Sequence, residues 1–242
     1  MKEHMYEAMY RIEDSHWWFR AKREIILSLI ALNKNQTLID FGCGTGKTLE
    51  ELCKICDATG LDSSEQALNF CKKRVDVKLL KASLSEELPF DSTYDIGVAL
   101  DVLEHLDDDF KALRSMKNVL NHGGRLIITV PSFMFMWSSH DDNCDHKRRY
   151  RKKELEALIE KSELETEYIS YYNFWLFPFI ALTRCVCKLL NIDKNSELEN
   201  YNNKFINALL YRVFRSEGFF LRNHIKLPFG VSLIAVLRRR SE

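Results

Sequence analysis

The chain has 242 residues, enough to bury a full hydrophobic core in one α/β domain with elaborations. Its 35 basic and 35 acidic side chains cancel, so no global field attracts nucleic acid or an anionic membrane over other partners. This balance excludes the strongly basic class of nucleic-acid binders and favours a small or neutral substrate.

The seven cysteines are odd in number and lack framework spacing, which is typical of reduced thiols in an intracellular protein. We therefore expect a cytoplasmic protein, and the acidic and histidine-containing start does not resemble a signal peptide. Cys53 and Cys56 have C-x-x-C spacing, but they fall in a predicted helix without a second pair or a histidine at metal spacing. No metal site is predicted.

The N-terminal segment, residues 1–35, is predicted to be a helical cover that precedes the sheet. Apolar side chains recur at helical spacing within residues 5–32, after an aromatic cluster at Trp17, Trp18 and Phe19. Aromatic residues in this position are core residues by default, although the two tryptophans could also form a lid over a ligand.

Beyond the cover, short β-type runs alternate with helical ones. Strands are predicted at 37–41, 58–62, 77–81, 94–100, 125–130, 165–172 and 230–238. Helices are predicted to end near Cys56 and to occupy 65–74, 108–120 and 152–161. This alternation predicts a parallel sheet with helices on both faces, in a single domain whose core spans 36–172.

The last two strands are separated by an aromatic, helical insert at 173–225, and the final strand falls within 226–242. Its apolar run at 174–182 is far shorter than the roughly 20 residues of a membrane span. The insert could form an apolar acceptor pocket or a peripheral membrane-surface face. Two alternatives are supported equally well, namely that the insert packs onto the sheet and that it forms a dimer interface. The sequence does not indicate the oligomeric state.

A glycine-rich loop follows the first strand, in the segment LIDFGCGTGKT at 38–48. Gly42, Gly44 and Gly46 alternate where a strand turns into a helix, which lets the backbone approach a ligand closely. Phe41 stands where a phosphate-binding P-loop needs its first glycine. The dinucleotide fingerprint needs two residues between its last glycines, and this loop has one.

Asp62 ends the second strand, twenty residues after Gly42. A carboxylate there can accept hydrogen bonds from both ribose hydroxyls, so loop and acid together suit a nucleoside without phosphates. The alternative is that Asp62 only caps the next helix, which Ser63 or Ser64 would do as well.

At this point the sequence resembles the class I S-adenosylmethionine (SAM)-dependent methyltransferases, over most of residues 16–172. Asp40 and the three glycines resemble motif I of that family, and Asp62 resembles its motif II acid. The segments 87–106 and 120–131 are similar to its fourth and fifth strands. The resemblance implies a Rossmann-like, seven-stranded, mostly parallel sheet with an antiparallel last strand, and SAM as cofactor.

The resemblance also implies roles for individual residues. The loop would hold the methionyl end of SAM, Asp62 the ribose, and the backbone around Leu100 and Asp101 the amino acid moiety. Apart from the resemblance, the place of Arg20 before the sheet would let it reach the methionyl carboxylate. Ser83 stands where the family usually has an acid for the adenine amino group. The implied cofactor residues are Arg20, Asp40, Gly42, Cys43, Gly44, Gly46, Asp62, Ser63, Ser83, Leu84, Leu100 and Asp101.

HWWFRAKREI at 16–25 and the segment 130–155 look like a methyltransferase type 11, 12 or 23 subgroup, often associated with polysaccharide, lipid-linked sugar or secondary metabolism. This implies a small-molecule or lipid- or sugar-linked acceptor, methylated on oxygen more readily than on nitrogen. Two other functions stay open. One is an NAD-type Rossmann oxidoreductase, and the other is a non-catalytic SAM-binding protein.

If the acceptor is a hydroxyl, a general base accelerates transfer, and histidine is the first candidate because its pKa lies near neutrality. His146 and then His140 are predicted for this role, on the polar loop after the fifth strand. The alternative is that the charged run around His146 only introduces the next helix. His105 is expected to be structural.

Overall fold

The computed structural model describes residues 3–30, 33–86, 88, 93–190 and 203–240 of the chain. The described helices are α1 Glu3–Ile12, α2 Trp17–Leu29, α3 Lys47–Leu52, α4 Glu65–Cys71, α5 Asp109–Asn118, α6 Ser139–Asn143, α7 Lys152–Lys161, α8 Phe177–Leu189 and α9 Lys204–Arg222. The described strands are β1 Thr37–Phe41, β2 Asp57–Asp62, β3 Leu79–Lys81, β4 Tyr94–Leu100, β5 Leu120–Pro131, β6 Leu164–Tyr172 and β7 Ser232–Arg239.

The strands form one seven-stranded sheet in the order β3-β2-β1-β4-β5-β7-β6. β7 runs antiparallel between β5 and β6, and the other pairings are parallel, so the predicted fold class is confirmed. The strand order reverses between β1 and β4. In open α/β sheets, a ligand crevice forms at this reversal, outside the carboxyl ends of the strands.

Helices cover both faces because apolar side chains point to alternate sides of each strand. In β1, Leu38 packs on the face that is covered by α2, α3 and α9. Ile39 and Phe41 pack on the opposite face, with side chains of α5 and α7 such as Leu113 and Leu155. Both clusters are buried, so the sheet holds the crevice on a rigid base.

The N-terminal helical segment consists of two helices, because the chain breaks between α1 and α2. The side chain of His16 caps α2 and accepts from the amide of Trp18 at 3.3 Å. Asn207 of α9 accepts from the amide of Trp17 at 2.8 Å. Glu13 turns inward and accepts a hydrogen bond from the hydroxyl of Thr45. These tertiary contacts outweigh the continuous helical periodicity and let the two helices cover the crevice from different sides.

The predicted insert contains α8 and α9, and its residues 191–202 lie outside the described residues. The predicted divisions at 35/36, 172/173 and 225/226 fall between elements. In the part of the chain that is described, no helix is long and apolar enough to cross a membrane.

Candidate functional site

A cavity of about 1080 Å³ lies at the carboxyl ends of β1, β2 and β4, beneath α1, α2, α8 and α9. Ligand pockets typically measure roughly 300–1,000 Å³, so this one has room for two ligands side by side. Ten of the twelve predicted cofactor residues line it, and both predicted catalytic histidines do so as well. We call the part around residues 40–46 and Asp62 the glycine-loop end, and the part around Glu104, His105, Asp141 and His146 the histidine end.

The backbone amides of the glycine loop are already hydrogen bonded within the protein. Those of Gly42, Cys43 and Gly46 donate to backbone carbonyls at 2.7, 3.0 and 3.0 Å. That of Gly44 donates to Oδ2 of Asp62 at 2.9 Å. A diphosphate is bound by backbone N–H groups that point at it from a loop or helix terminus. These four amides are committed to the protein, so they are not available to a phosphate.

Gly44 and Gly46 both have positive φ but serve different purposes. At Gly44 (φ 55°) a Cβ would meet only the carbonyl of Gly42, at 4.0 Å, so it would extend into the cavity. At Gly46 (φ 88°) a Cβ would lie 2.5 Å from Sγ of Cys71, because α4 packs against the loop there. Gly46 does not line the cavity, and its position shows a packing requirement instead.

Asp62 accepts two backbone hydrogen bonds, from Gly44 at 2.9 Å and from Ser64 at 2.8 Å. The cap of α4 is Ser64, whose hydroxyl accepts from the amide of Ala67 at 3.2 Å. The carboxylate is therefore not the helix cap, and each of its oxygens keeps a second lone pair for a ligand. Burial raises the pKa of Asp62, although the backbone hydrogen bonds oppose this.

Acidic and basic side chains line the cavity in equal number, five of each, but the carboxylates of Asp40 and Asp62 lie together at the glycine-loop end. Burial and the neighbouring Asp62 raise the pKa of Asp40 to about 7. Asp101 pairs with Lys22 and accepts from the hydroxyl of Thr129 at 2.8 Å. These partners lower the pKa of Asp101 although burial opposes the shift. The glycine-loop end therefore suits the positively charged part of a ligand.

Arg20 is the other predicted cofactor residue that the structure does not bring to the cavity. Its guanidinium lies over the ring of Tyr211, 4.3 Å from the centroid. Lys22 and Arg23 line the cavity from the same helix. Sequence reasoning missed Lys22, since a buried lysine paired across 79 residues to Asp101 has no local signature.

The loop after β3 contributes Ser83 and Leu84 to the cavity wall. The hydroxyl of Ser83 accepts from the amide of Ser85 at 3.2 Å, which fixes a tight turn. Trp17 and Trp18 line the cavity as well, and Trp18 stacks on Phe214 with ring centroids 5.2 Å apart. The two tryptophans thus serve as core and as cavity wall together.

Asp141, which is fully buried, organises the histidine end. It forms a two-pronged contact with Arg149, at 2.8 and 3.0 Å, and lies 2.8 Å from Nδ1 of His146. Although burial opposes it, the contact with His146 and the charge of Arg149 hold the pKa of Asp141 well below its usual range. This anchor orients the imidazole of His146 and leaves its Nε2 for a ligand.

The charged run around His146 divides into residues that pack against a helix and residues that line the cavity. Arg148 and Tyr150 bond to Asp109 at 2.9 and 2.8 Å, so they fold the loop against α5. His146 lines the cavity, and the ring of His140, also in the wall, lies 6.1 Å from it between centroids.

Glu104 and His105 form a short 3₁₀ helix after β4, and the cavity reaches both. Glu104 is fully buried, and neither carboxylate oxygen has a hydrogen-bond partner. Burial raises the pKa of Glu104 well above its usual value and lowers that of His105 to about 4. Sequence reasoning favoured a structural role for His105 and for Glu104 beside it, and nothing in the local sequence indicated that Glu104 would be buried without a partner.

Comparison with known proteins gives a consistent result. Residues 39–128 match the methyltransferase domain family. A probable SAM-dependent methyltransferase of Mycobacterium tuberculosis is 26% identical over 153 residues, which are 61% of this chain and 56% of that protein. The ubiquinone biosynthesis O-methyltransferase of Aliivibrio fischeri is 24% identical over 195 residues, covering 66% of this chain and 82% of that protein.

Among solved structures, the fold is similar to that of a SAM-dependent methyltransferase from Thermotoga maritima, described as a possible histamine N-methyltransferase. The TM-score is 0.64 at 18% identity, with 98% of this chain and 96% of the other covered. The match extends over the cover and the insert. The Mycobacterium relative, in contrast, is spanned over little more than half its length.

Proposed function

Because the chain belongs to the class I SAM-dependent methyltransferase family, whose cofactor is SAM, we propose that it transfers the SAM methyl group to an oxygen of a small acceptor with an apolar part. The glycine-loop end holds the cofactor in this proposal, and the histidine end receives the acceptor. The proposal rests on one observation above others: at the glycine-loop end, four loop amides are committed to the protein while the carboxylates of Asp40 and Asp62 line the cavity.

This observation separates SAM from NAD. NAD carries a diphosphate, which would face buried carboxylates and loop amides whose hydrogens are already donated to protein acceptors. SAM carries a cationic sulfonium and no phosphate, so Asp40 and the paired Asp101 favour it. The geometry therefore speaks against the oxidoreductase alternative.

The residues present fit the cofactor. Asp62 has free lone pairs for the ribose hydroxyls, and the open space at Gly44 accommodates a close approach of ligand to backbone. Ser83 and Leu84 offer a turn and an apolar side chain for the adenine. We assign the methionyl carboxylate to Lys22 rather than to Arg20, since Lys22 is the cation of α2 that reaches Asp101.

The bound cofactor supplies an activated methyl group: a lone pair of the acceptor bonds to the methyl carbon as the carbon–sulfur bond breaks and a neutral thioether leaves. The protein aligns the acceptor and excludes water, and such positioning contributes up to about 7–11 kcal/mol. His146, oriented by Asp141, contacts the acceptor hydroxyl in this proposal. Its role as general base stays a prediction.

The apolar character of the acceptor is inferred from the mouth of the cavity. Ile180 of α8 and Leu210 of α9 line the wall, and so do Phe179 and Leu209, which are also exposed to solvent. A lipid-linked or prenylated acceptor would place its chain between these helices, with its hydroxyl at the histidine end.

We also propose peripheral contact of α8 and α9 with a membrane that presents such an acceptor. Phe179, Leu189 and Phe205 are 71%, 82% and 76% exposed, which is unusual for large apolar side chains. Lys188 and Lys204 lie on the same two helices and would approach anionic headgroups.

Calorimetry tests the cofactor assignment. SAM and S-adenosylhomocysteine should bind, and NAD should not. Binding of NAD without SAM would overturn the proposed function. Transfer of labelled methyl from SAM to a panel of free and lipid-linked hydroxyl acceptors then separates an enzyme from a non-catalytic SAM-binding protein, since only an enzyme yields labelled product.

Co-sedimentation with vesicles containing anionic lipid tests the membrane contact. Phe179→Ser combined with Phe205→Ser should lower the bound fraction severalfold, while Ile55→Ser, an exposed apolar residue beyond α3, should not. Equal binding by all three proteins would contradict the contact.

A further inference from the structure

Three potential metal ligands converge at the histidine end. Glu104, His105 and His146 each offer one ligand atom, and these three atoms lie within 4.8 Å of one another. The imidazoles of His105 and His146 meet edge to face, with ring centroids 4.7 Å apart. The residues come from two segments of the chain, joined where the amide of Lys147 donates to the carbonyl of Glu104 at 2.8 Å.

A second observation is the state of these groups. Both oxygens of the fully buried Glu104 and Nδ1 of His105 lack hydrogen-bond partners. The nearby cations are already paired, Lys22 with Asp101 and Arg149 with Asp141. Buried carboxylates without partners are costly, and coordination to a metal is one of the few ways to satisfy them.

We propose that Glu104, His105 and His146 bind a divalent transition-metal cation at the acceptor side of the cavity. Two imidazoles and one carboxylate form a ligand set that suits Zn²⁺, Fe²⁺ or Mn²⁺ and leaves coordination positions open. No metal was predicted from the sequence, in which only the C-x-x-C pair was considered as a metal site.

The arrangement of the ligands supports the site. Ligand atoms about 2.1 Å from a tetrahedral metal lie roughly 3.4 Å apart, so the widest pair must close by up to about 1.4 Å, which side-chain rotations achieve. Asp141 already holds Nδ1 of His146, as in the carboxylate–histidine–metal arrangement in which an outer carboxylate fixes the ring.

The cation gives His146 a role different from that of a base. Nε2 would donate its lone pair to the metal, and the acceptor hydroxyl would take an open position. Coordination would lower the pKa of the hydroxyl, so that its proton would pass to water and its oxygen lone pair would be available to the methyl carbon. This role rests on the proposed methyl transfer, whereas the cation site itself does not.

The test is titration of the metal-stripped protein with Co²⁺, followed by absorption spectroscopy, and with Mn²⁺, followed by electron paramagnetic resonance. We expect one equivalent of each per chain, with a Co²⁺ spectrum of nitrogen and oxygen ligation and no thiolate charge transfer. Glu104→Gln and His105→Asn should each weaken binding at least about tenfold. His122→Asn, an exposed histidine on β5, is the matched control and should bind as the wild type.

Glu104→Gln also protects the test against misfolding, because it replaces a buried ionisable carboxyl group by an amide of the same shape and should leave the metal-free protein at least as stable. Binding that does not saturate, that shows thiolate ligation, or that survives both substitutions would overturn the site. S-adenosylhomocysteine binding is measured in parallel and should be unchanged in the variants. If the wild type binds cation but no S-adenosylhomocysteine, the proposed function fails and the cation site stands.

Discussion

The two ends of the cavity are built in different ways. The glycine-loop end comes from one stretch of chain, residues 40–62, and its main contacts are made by backbone amides and one carboxylate. The histidine end is assembled from residues 104–149 by side chains, with Asp141 fixing His146 and Arg149. At the first end, the four loop amides are hydrogen bonded without a ligand. The second keeps an unpartnered carboxylate on Glu104.

This difference indicates a division of labour. A satisfied, backbone-built end holds the same ligand in the same way whatever the acceptor, since backbone geometry changes little with sequence. An end that consists of side chains with unmet hydrogen-bonding capacity depends on what is bound there. Substitutions should therefore separate the two ends, with cofactor binding and cation binding responding independently.

The largest effect is expected from Asp62→Ala at the glycine-loop end. It removes the proposed ribose partner and leaves the amides of Gly44 and Ser64 without their acceptor. Hydrogen bonds to charged groups contribute about 1.5–3 kcal/mol each, so S-adenosylhomocysteine binding should weaken about 100-fold by calorimetry.

Asp57→Ala is the matched control, since Asp57 begins the same strand but is exposed and outside the cavity. It should bind as the wild type. Cation binding should be equal in both variants, and a loss of cation binding in Asp62→Ala would mean that the two ends are not independent.

The converse substitution is Asp141→Asn at the histidine end. It removes the carboxylate that orients His146, and loss of such an outer carboxylate typically lowers metal affinity tenfold to about 100-fold. Asp142→Asn, its exposed neighbour, should have little effect on the Co²⁺ titration. Thermal denaturation is followed alongside, because Asp141 also holds Arg149. S-adenosylhomocysteine binding that falls as far as cation binding would contradict the separation.

The same contrast explains what could be predicted from sequence. The glycine-loop end was predictable because Asp40, the three glycines and Asp62 are close in sequence and each has a backbone reason for its identity. The sheet was predictable because period-2 and helical runs alternate. Sequence could not predict the proximity of Glu104 to His146 or the pairing of Lys22 with Asp101. Residues so far apart in the chain are brought together only by the fold.

The break between α1 and α2 was missed for a similar reason. Residues 5–32 satisfy helical periodicity, and only the tertiary contacts of Glu13 with Thr45 and of Trp17 with Asn207 select two helices. Arg20 was predicted to be a cofactor residue from its position in the chain, but α2 places its guanidinium over the ring of Tyr211.

A smaller effect sharpens the comparison within the glycine-loop end itself. Gly44→Ala places a methyl group in the cavity and should weaken S-adenosylhomocysteine binding about tenfold, with about 1 kcal/mol of backbone strain. Gly46→Ala meets Cys71 instead and should lower the free energy of unfolding by about 1–3 kcal/mol. By calorimetry, Gly44→Ala should therefore show the larger loss of S-adenosylhomocysteine binding, and by thermal denaturation Gly46→Ala should show the larger loss of stability. If the same variant is the more affected in both measurements, the assignment is contradicted.

The smallest effect concerns the charge of Asp40. With a pKa raised to about 7, Asp40 is largely neutral at pH 6 and ionised at pH 8. SAM carries a sulfonium charge that S-adenosylhomocysteine lacks, so the affinity ratio of the two isolates that charge. The ratio should shift toward SAM by about threefold as the pH rises from 6 to 8. A charge pair out of contact in a partly solvated cavity contributes less than about 1 kcal/mol.

In Asp40→Asn the affinity ratio of SAM to S-adenosylhomocysteine should be constant between pH 6 and pH 8. A ratio that rises equally in the variant would assign the titration to another group, and one that falls in the wild type would mean that the sulfonium does not approach this carboxylate.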